Sequence, residues 1–589
     1  MNLPTPPSSK DALRAFCWFG ALCALFAAVW LRMPARTFYS PDEGAKYLQM
    51  QGTGSNPFRP CRLFYPGIGK DPDMFYYPAR VEMAMGIAHI YPFADADGQV
   101  HTNWLPWFPF ASKPFFAWLG PKGLHLIPLL AGLFALWLTG AVAGILDPGA
   151  RRPTLLAFAL ASPILFYCVT FWEHTLALTL QLGALFCARP GAATEGRAAF
   201  LGRRMAAAAM LLGAIALRRE ALFFAAALAA SLALLDGRAA LRLLLRCRIP
   251  LLAAALAGLL LLLVPPPWLL PDRTGIDVVT TVRRFFLPEM WRHAPVHFFD
   301  VFFLLNEVDS PLPAVLRWTG QFGLLICLAN YLHPRARRPG PFAAGTLLVL
   351  LPAAFMAFTA TRYRALNSFI LSAPFVLFAL LPDPAPGPRS AAERFVRTAA
   401  LFLAVFYVGG TLPSHRGHGG LEWGSRYAMV LFSLLTAIGA VNARRWLNSP
   451  AARGWPGACM RGVVLGALLT GSLSVIRGLR ELRATHLDLA SIEQALSAKP
   501  GPIVTDFLWM AAALPDLHMR REMFTLASAD EIHGWLNQIG KEAPTFVYAS
   551  YEPLPEKTRA REKHRLAPEV REEVCGMQIT TYRVVSPPP

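Results

Sequence analysis

"AFCWFGALCALFAAVWLRMPARTFYSPDEGAKYLQMQ" (residues 15–51) begins as an apolar run and soon afterwards places two carboxylates, Asp42 and Glu43, side by side. The run is long enough to cross a bilayer core. Lys10 and Arg14 precede it as in a signal peptide, but the acid pair and the many later apolar runs favour an uncleaved anchor. Taken locally, the acids start a helix: Ser40 as N-cap, Pro41 at the first position and Glu43 at the third make a capping box, with negative charge where the helix dipole favours it. The alternative is an acid pair held at a membrane surface for chemistry. The rest of the chain bears on that choice.

The chain has 589 residues, 54% of them hydrophobic and 16% charged. Apolar runs of roughly 16 to 25 residues recur along it, the length that spans a bilayer core. Spans are expected near 15–33, 121–146, 153–170, 174–188, 204–217, 221–235, 249–265, 312–331, 342–360, 366–381, 396–411, 426–441 and 461–476, about thirteen in all, so the fold class is an α-helical polytopic membrane protein. A net charge of +19 would suggest nucleic acid in a soluble protein. Here most of the arginine lies in alternate polar gaps such as "DPGARRP" (147–153), "HPRARRPG" (333–340) and "NARRWLNSPAARG" (442–454). The positive-inside rule makes those gaps cytoplasmic, together with the N-terminus, and no nucleic-acid partner is expected.

The remaining gaps then face outward: a long first loop (34–120), "FWEH" (171–174), "RRE" (218–220), 266–311, "TRYR" (361–364) and 411–427. The tail 477–589 is also outside and has soluble composition. Strand-like "PIVTD" (502–506), "MFTLA" (523–527) and "TFVYAS" (545–550) alternate in it with helical patterns such as 529–543, which predicts a small extracytoplasmic α/β domain after a membrane domain 1–476. The nine cysteines show no CxxC spacing, and most lie in apolar runs, so neither a zinc site nor a disulfide framework is signalled.

The outward gaps collect ionisable residues: Asp42 and Glu43, Glu173 and His174, Arg218, Arg219 and Glu220, Arg362 and Arg364, and His415, Arg416, His418, Glu422 and Arg426. Charged groups at span ends are costly to desolvate unless they pair or face a wet cavity, so an acidic and basic set on one side points to a site for an anionic ligand. Snorkelling arginines are the plain alternative. In "FWEHTLAL" the turn between two spans consists of little besides Glu173 and His174, where an N-cap role for Thr170 or Glu173 is the structural account. For Arg218 and Arg219 the choice is between an intramembrane salt bridge and a phosphate contact. "ADADGQV" (94–100) lacks the acid at position twelve that a calcium loop needs and is expected to be a hairpin turn. There is no GxSxG, Walker A or HExxH motif.

As a set, these motifs resemble the GT-C superfamily of polyprenyl-phosphate-sugar-dependent glycosyltransferases, the clan of protein mannosyltransferases and lipid A aminoarabinose transferases. "SPDEGAKYLQMQ" is similar to the clan's acidic motif, "SKPFFAWLGPKGLHLIPLLAGL" (112–133) to its passage into the second span, and "LRREALFF" and "GGLEWGSRY" to motifs of its bacterial members. Ser425 stands where the clan often has proline. The resemblance implies an inverting sugar transfer at the outer face of a bacterial inner membrane, from a polyprenyl-phosphate donor to a lipid, glycan or protein acceptor. It implies Asp42 as catalytic base and Glu43 as supporting acid. Glu173 and His174 would hold the acceptor or a divalent metal ion, with no metal assigned. Arg218, Arg219, Glu220, Arg362, Arg364, His415, His418, Glu422 and Arg426 would bind substrate. A lipid-linked sugar flippase would instead carry ionisable groups deep inside its spans, with repeat symmetry between halves. A non-catalytic scaffold would leave the acid pair and the Glu-His turn without a role.

Overall fold

The computed structural model describes residues 9–52, 65–78, 80–81, 93–94, 100–101, 107–190, 196–218, 220–235, 312–333, 338–359, 368–384, 389–411, 426–539, 543–563 and 565–585. Among them, five helices are long and apolar enough to cross a membrane: Trp107–Leu146, Ala198–Leu217, Pro339–Thr359, Arg426–Leu447 and Trp455–Ser497. His174–Ala188 and Ala221–Leu235 are apolar but shorter. The span expected at 249–265 lies outside the described residues.

Two expected spans are broken. The stretch 153–170 ends its helix at Leu160 and restarts as the short turn Ile164–Tyr167. A proline disfavours the helical conformation in the residue before it, and Pro163 stands at this break. In 366–381 the helix stops at Ser372, because Ala373, which precedes Pro374, takes φ −147° and ψ 68°, and a 3-10 segment, Pro374–Leu380, follows.

The described helices from His125 to Glu481, with Ser9–Arg32, form one compact unit, and Pro34–Leu124 and Leu482–Pro589 belong to another. In the first unit Gly345 faces Gly323 so closely that an added Cβ would stand 2.7 Å from the Gly323 carbonyl oxygen. Small residues thus let the neighbouring helices Ala314–Leu332 and Pro339–Thr359 approach backbone to backbone. Thr139 and Ser433 share a hydrogen bond of 2.8 Å between helices, satisfying two buried hydroxyls in apolar surroundings.

The second unit contains strands β1 (Phe93–Ala94) and β2 (Val100–His101), which pair antiparallel around the "ADADGQV" stretch. Its main sheet has β3 (Ile503–Thr505), β4 (Met523–Thr525), β5 (Thr545–Ser550), β6 (Leu566–Val574) and β7 (Met577–Val584) in the order β4-β3-β5-β7-β6. β3 runs parallel to β4 and β5, while β7 pairs antiparallel with β5 and β6. The parallel strands are buried, as helix-crossover connections require. The two-residue turn between β6 and β7 places Cys575 and Gly576 at φ 52° and 84°, the left-handed pair that a tight hairpin needs.

The first loop shares this unit's core instead of standing apart from the tail. Tyr65, Tyr76 and Tyr77 are buried with Val504, Phe524, Trp535 and Tyr548. The Thr525 amide donates to the Tyr76 carbonyl at 2.8 Å, and Lys70 pairs with Glu522 at 2.7 Å.

Candidate active site

The helix Pro41–Gly52 begins as its sequence predicts. The Ser40 amide donates to Glu43 Oε2 at 3.1 Å and the Glu43 amide to Ser40 Oγ at 3.4 Å, the reciprocal pair of a capping box. Glu43 is fully buried in this role. Asp42 is also buried, and Lys46 and Gln49 follow it at the i+4 and i+7 positions, on the same face of the helix. Lys46 has no counterpart among the expected site residues. The helix is held within its unit by Tyr47, whose hydroxyl donates to Asp516 at 2.7 Å, and by Gly44, which lies against the Ala512 backbone.

In the other unit, Glu173 occupies the N-cap position of His174–Ala188 but makes no side-chain cap there. Its carboxylate receives a 2.7 Å hydrogen bond from Arg218, and the same guanidinium donates to Glu220 at 2.5 Å. Glu173, His174 and Arg218 are all buried. A guanidinium held by two carboxylates keeps its charge in a dry setting, because the paired oxygens replace water. For Arg218, then, the salt-bridge account describes the geometry.

Arg426 differs in its surroundings. It is buried at the start of the Arg426–Leu447 segment, with its guanidinium 5.4 Å from the Trp172 ring centre and 5.1 Å from that of Tyr427. It also donates to the Tyr427 hydroxyl at 3.2 Å. Tyr427 lies under Arg218 as well, at 5.3 Å, and the His174 ring packs against Trp172 and Tyr167 at 5.6 and 5.5 Å. Glu173, His174, Arg218, Glu220 and Arg426 therefore form one cluster, floored by aromatic rings that the sequence reasoning did not assign. The available signal was adjacency: Trp172 precedes Glu173 and Tyr427 follows Arg426.

Arg219, Arg362, Arg364, His415, His418 and Glu422 lie outside the described residues. Among the described residues, Glu173 Oε1 is engaged by Arg218, aromatic rings surround His174, and no three His, Cys, Asp or Glu side chains converge.

Fold and cluster together define a helical membrane protein with a buried set of carboxylates, guanidiniums and aromatic rings at helix ends. The chain is similar to the crystal structure of ArnT from Cupriavidus metallidurans in the apo state over 96% of its own length and 98% of that chain's, at 14% identity and a TM-score of 0.48. No protein-family model matches the chain, and no curated protein matches it.

Proposed function

We propose that the protein is a membrane glycosyltransferase that moves a sugar from a polyprenyl-phosphate donor to a lipid, glycan or protein acceptor. The transfer takes place on the extracytoplasmic side, with the N-terminus cytoplasmic and the tail outside. The observation that carries this is the cluster of buried Glu173, Arg218 and Arg426, with partly exposed Glu220, over Trp172 and Tyr427. A guanidinium buried at a helix end, as Arg426 is, makes a strong recognition element for a phosphate, which forms charge-assisted hydrogen bonds with it.

In this reaction an acceptor hydroxyl attacks the anomeric carbon from the face opposite the phosphate. The new glycosidic bond forms as the bond from that carbon to the phosphate oxygen breaks, inverting the centre. Asp42 takes the hydroxyl proton, and Arg426 stabilises the charge developing on the departing polyprenyl phosphate. Arg218, already held by Glu173 and Glu220, positions Tyr427 beneath it. Glu43 is occupied by the helix cap, which supports Asp42 as the proton acceptor.

The test is sugar transfer from a polyprenyl-phosphate donor by purified variants. Asp42→Asn keeps the shape but removes the base, so transfer should fall by roughly 10² or more with thermal stability retained. Arg426→Ala should weaken donor use by roughly ten- to a hundredfold. A fully active Asp42→Asn variant would remove Asp42 from the chemistry. Normal donor dependence in Arg426→Ala would reduce that residue to a structural one.

A further inference from the structure

A second feature of the helical unit is a cavity of about 700 Å³ between the helices Ala314–Leu332, Ala391–Thr411 and Met429–Leu447 and the 3-10 segment Pro374–Leu380. That volume falls within the range of specific small-molecule sites. Its wall along one helix is Leu431, Leu435, Ile438 and Asn442, a single face at spacings of four, three and four. At 1.5 Å per residue this face is about 16 Å long. The cavity is a narrow apolar slot with a polar end.

The polar end is built by Asp383, Arg389, Arg397 and Asn442. Arg397 donates to Glu393 at 3.0 Å and to Asn442 at 2.8 Å, and Arg445 donates to Asp383 at 3.0 Å and to Glu393 at 2.9 Å. Asn442 is fixed in turn by donating to the Phe378 and Ala379 carbonyls. Arg389 joins this network only through longer ion pairs, 3.7 Å to Glu393 and 4.0 Å to Asp383, and its side chain is 41% exposed. Three guanidiniums therefore face two carboxylates, and Arg389, the most loosely paired of the three, is also the most exposed. Beside the slot, Leu401 and Tyr331 line the cavity and are exposed on the outer surface, so the opening has an apolar rim.

We infer that this slot holds one acyl chain of an anionic membrane phospholipid, with its phosphate headgroup at Arg389 and Arg397. The apolar wall accepts the chain, the excess guanidinium selects the headgroup, and the apolar rim admits a ligand from the hydrocarbon. Asn442 lies about 20 Å along its helix from Met429, next to Arg426 and Tyr427, so the headgroup end is remote from the catalytic cluster. This lipid is accordingly distinct from the sugar donor, and its binding stands whether or not the chain transfers sugar.

The experiment uses the full chain in detergent, with phosphatidylglycerol and phosphatidylcholine of identical acyl chains as probes, read by retained lipid in native mass spectrometry. Phosphatidylglycerol should be retained about tenfold better, as one charge-assisted contact warrants. Arg389→Gln, at an exposed position, should level the two lipids. Ala404→Trp, which fills the slot, should reduce retention of both. Equal retention of the two lipids by the unaltered protein would overturn the inference, and so would a preference that survives Arg389→Gln. Protection by inorganic phosphate equal to that by phosphatidylglycerol would mean a free-anion site, and displacement of phosphatidylglycerol by an equimolar polyprenyl phosphate would mean a donor site. Either result refutes the structural-lipid assignment.

Discussion

Replacing Gly44 by alanine sets two effects of opposite sign against each other on the helix that carries Asp42. Within an isolated helix the change would stabilise by about 1 kcal/mol, since glycine loses more backbone entropy on ordering. In the folded unit a Cβ on Gly44 would lie 1.7 Å from the Ala512 carbonyl oxygen and 2.5 Å from its carbon. Ordinary contact begins at 3.4 Å, so one of the two segments must retreat by about 1.7 Å. The obstacle is backbone, inside a segment whose neighbours are fully buried, and it has no rotamer through which to yield. Overpacking of this kind costs about 1–3 kcal/mol, occasionally more, and outweighs the propensity gain. A backbone overlap this deep belongs at the upper end of that range, so Gly44→Ala should be destabilised by about 2 kcal/mol net, and transfer should fall because the helix start bearing Asp42 shifts with it. Gly69→Ala is the control: nothing lies within 4 Å of its Cβ, so it should be neutral or stabilised by about 0.4–1 kcal/mol. Urea unfolding in detergent, followed by tryptophan fluorescence, measures both. A Gly44→Ala protein as stable as Gly69→Ala would refute the close approach of this helix to Ala512.

Two further perturbations test the interior of each unit. His518 is fully buried between Tyr65 and Tyr77, with ring centres 6.0 and 6.2 Å away, and burial lowers its pKa from the ordinary 6.5 to about 4. The folded state resists protonation more than the unfolded one, so the contribution is intact above pH 6.5, declines as pH falls from 6.5 to 4 and levels off below. The total loss is roughly 3 kcal/mol. His518→Phe should remove that segment of the stability-pH curve, and an unchanged slope would place the histidine in a wetter environment. In the helical unit, Arg218→Met leaves Glu173 buried without its cation and should cost about 3–5 kcal/mol, whereas Arg218→Met with Glu173→Gln should recover most of the loss. Thermal midpoints of the single and double variants decide this, and equal values would mean that the pair is solvated.

What the sequence reveals depends on how local the cause is. The helix start at Ser40 is legible because cap, proline and third-position acid lie within four consecutive residues and reinforce each other. The parallel strands β3, β4 and β5 are legible because burial on both faces leaves continuous apolar runs. β6 is not, since Glu569, Arg571 and Glu573 are mostly exposed on an edge strand and resemble a solvated loop. Only its Cys575-Gly576 turn betrays the hairpin. Counting apolar residues across 153–170 and 366–381 missed Pro163 and Pro374, whose steric demand on the preceding residue overrides hydropathy.

The candidate site divides in the same way. Its residue types were visible, because ionisable groups at span ends are few and need partners. Their roles were not, because Arg218 meets Glu173 across 45 positions of sequence, and only folding shows that Glu173 serves as an ion-pair partner and not as a cap. That pairing alters the functional assignment. A phosphate approaching Arg218 competes with two carboxylates already within hydrogen-bond distance, so an incoming anion meets repulsion there as well as attraction. Arg426 lies over Trp172 and Tyr427, with its guanidinium within cation–π distance of both rings. Removing Arg218 also strips the cation from buried Glu173, so Arg218→Ala should register chiefly as lost stability, and Arg426→Ala is the variant whose donor use tests the proposed phosphate contact.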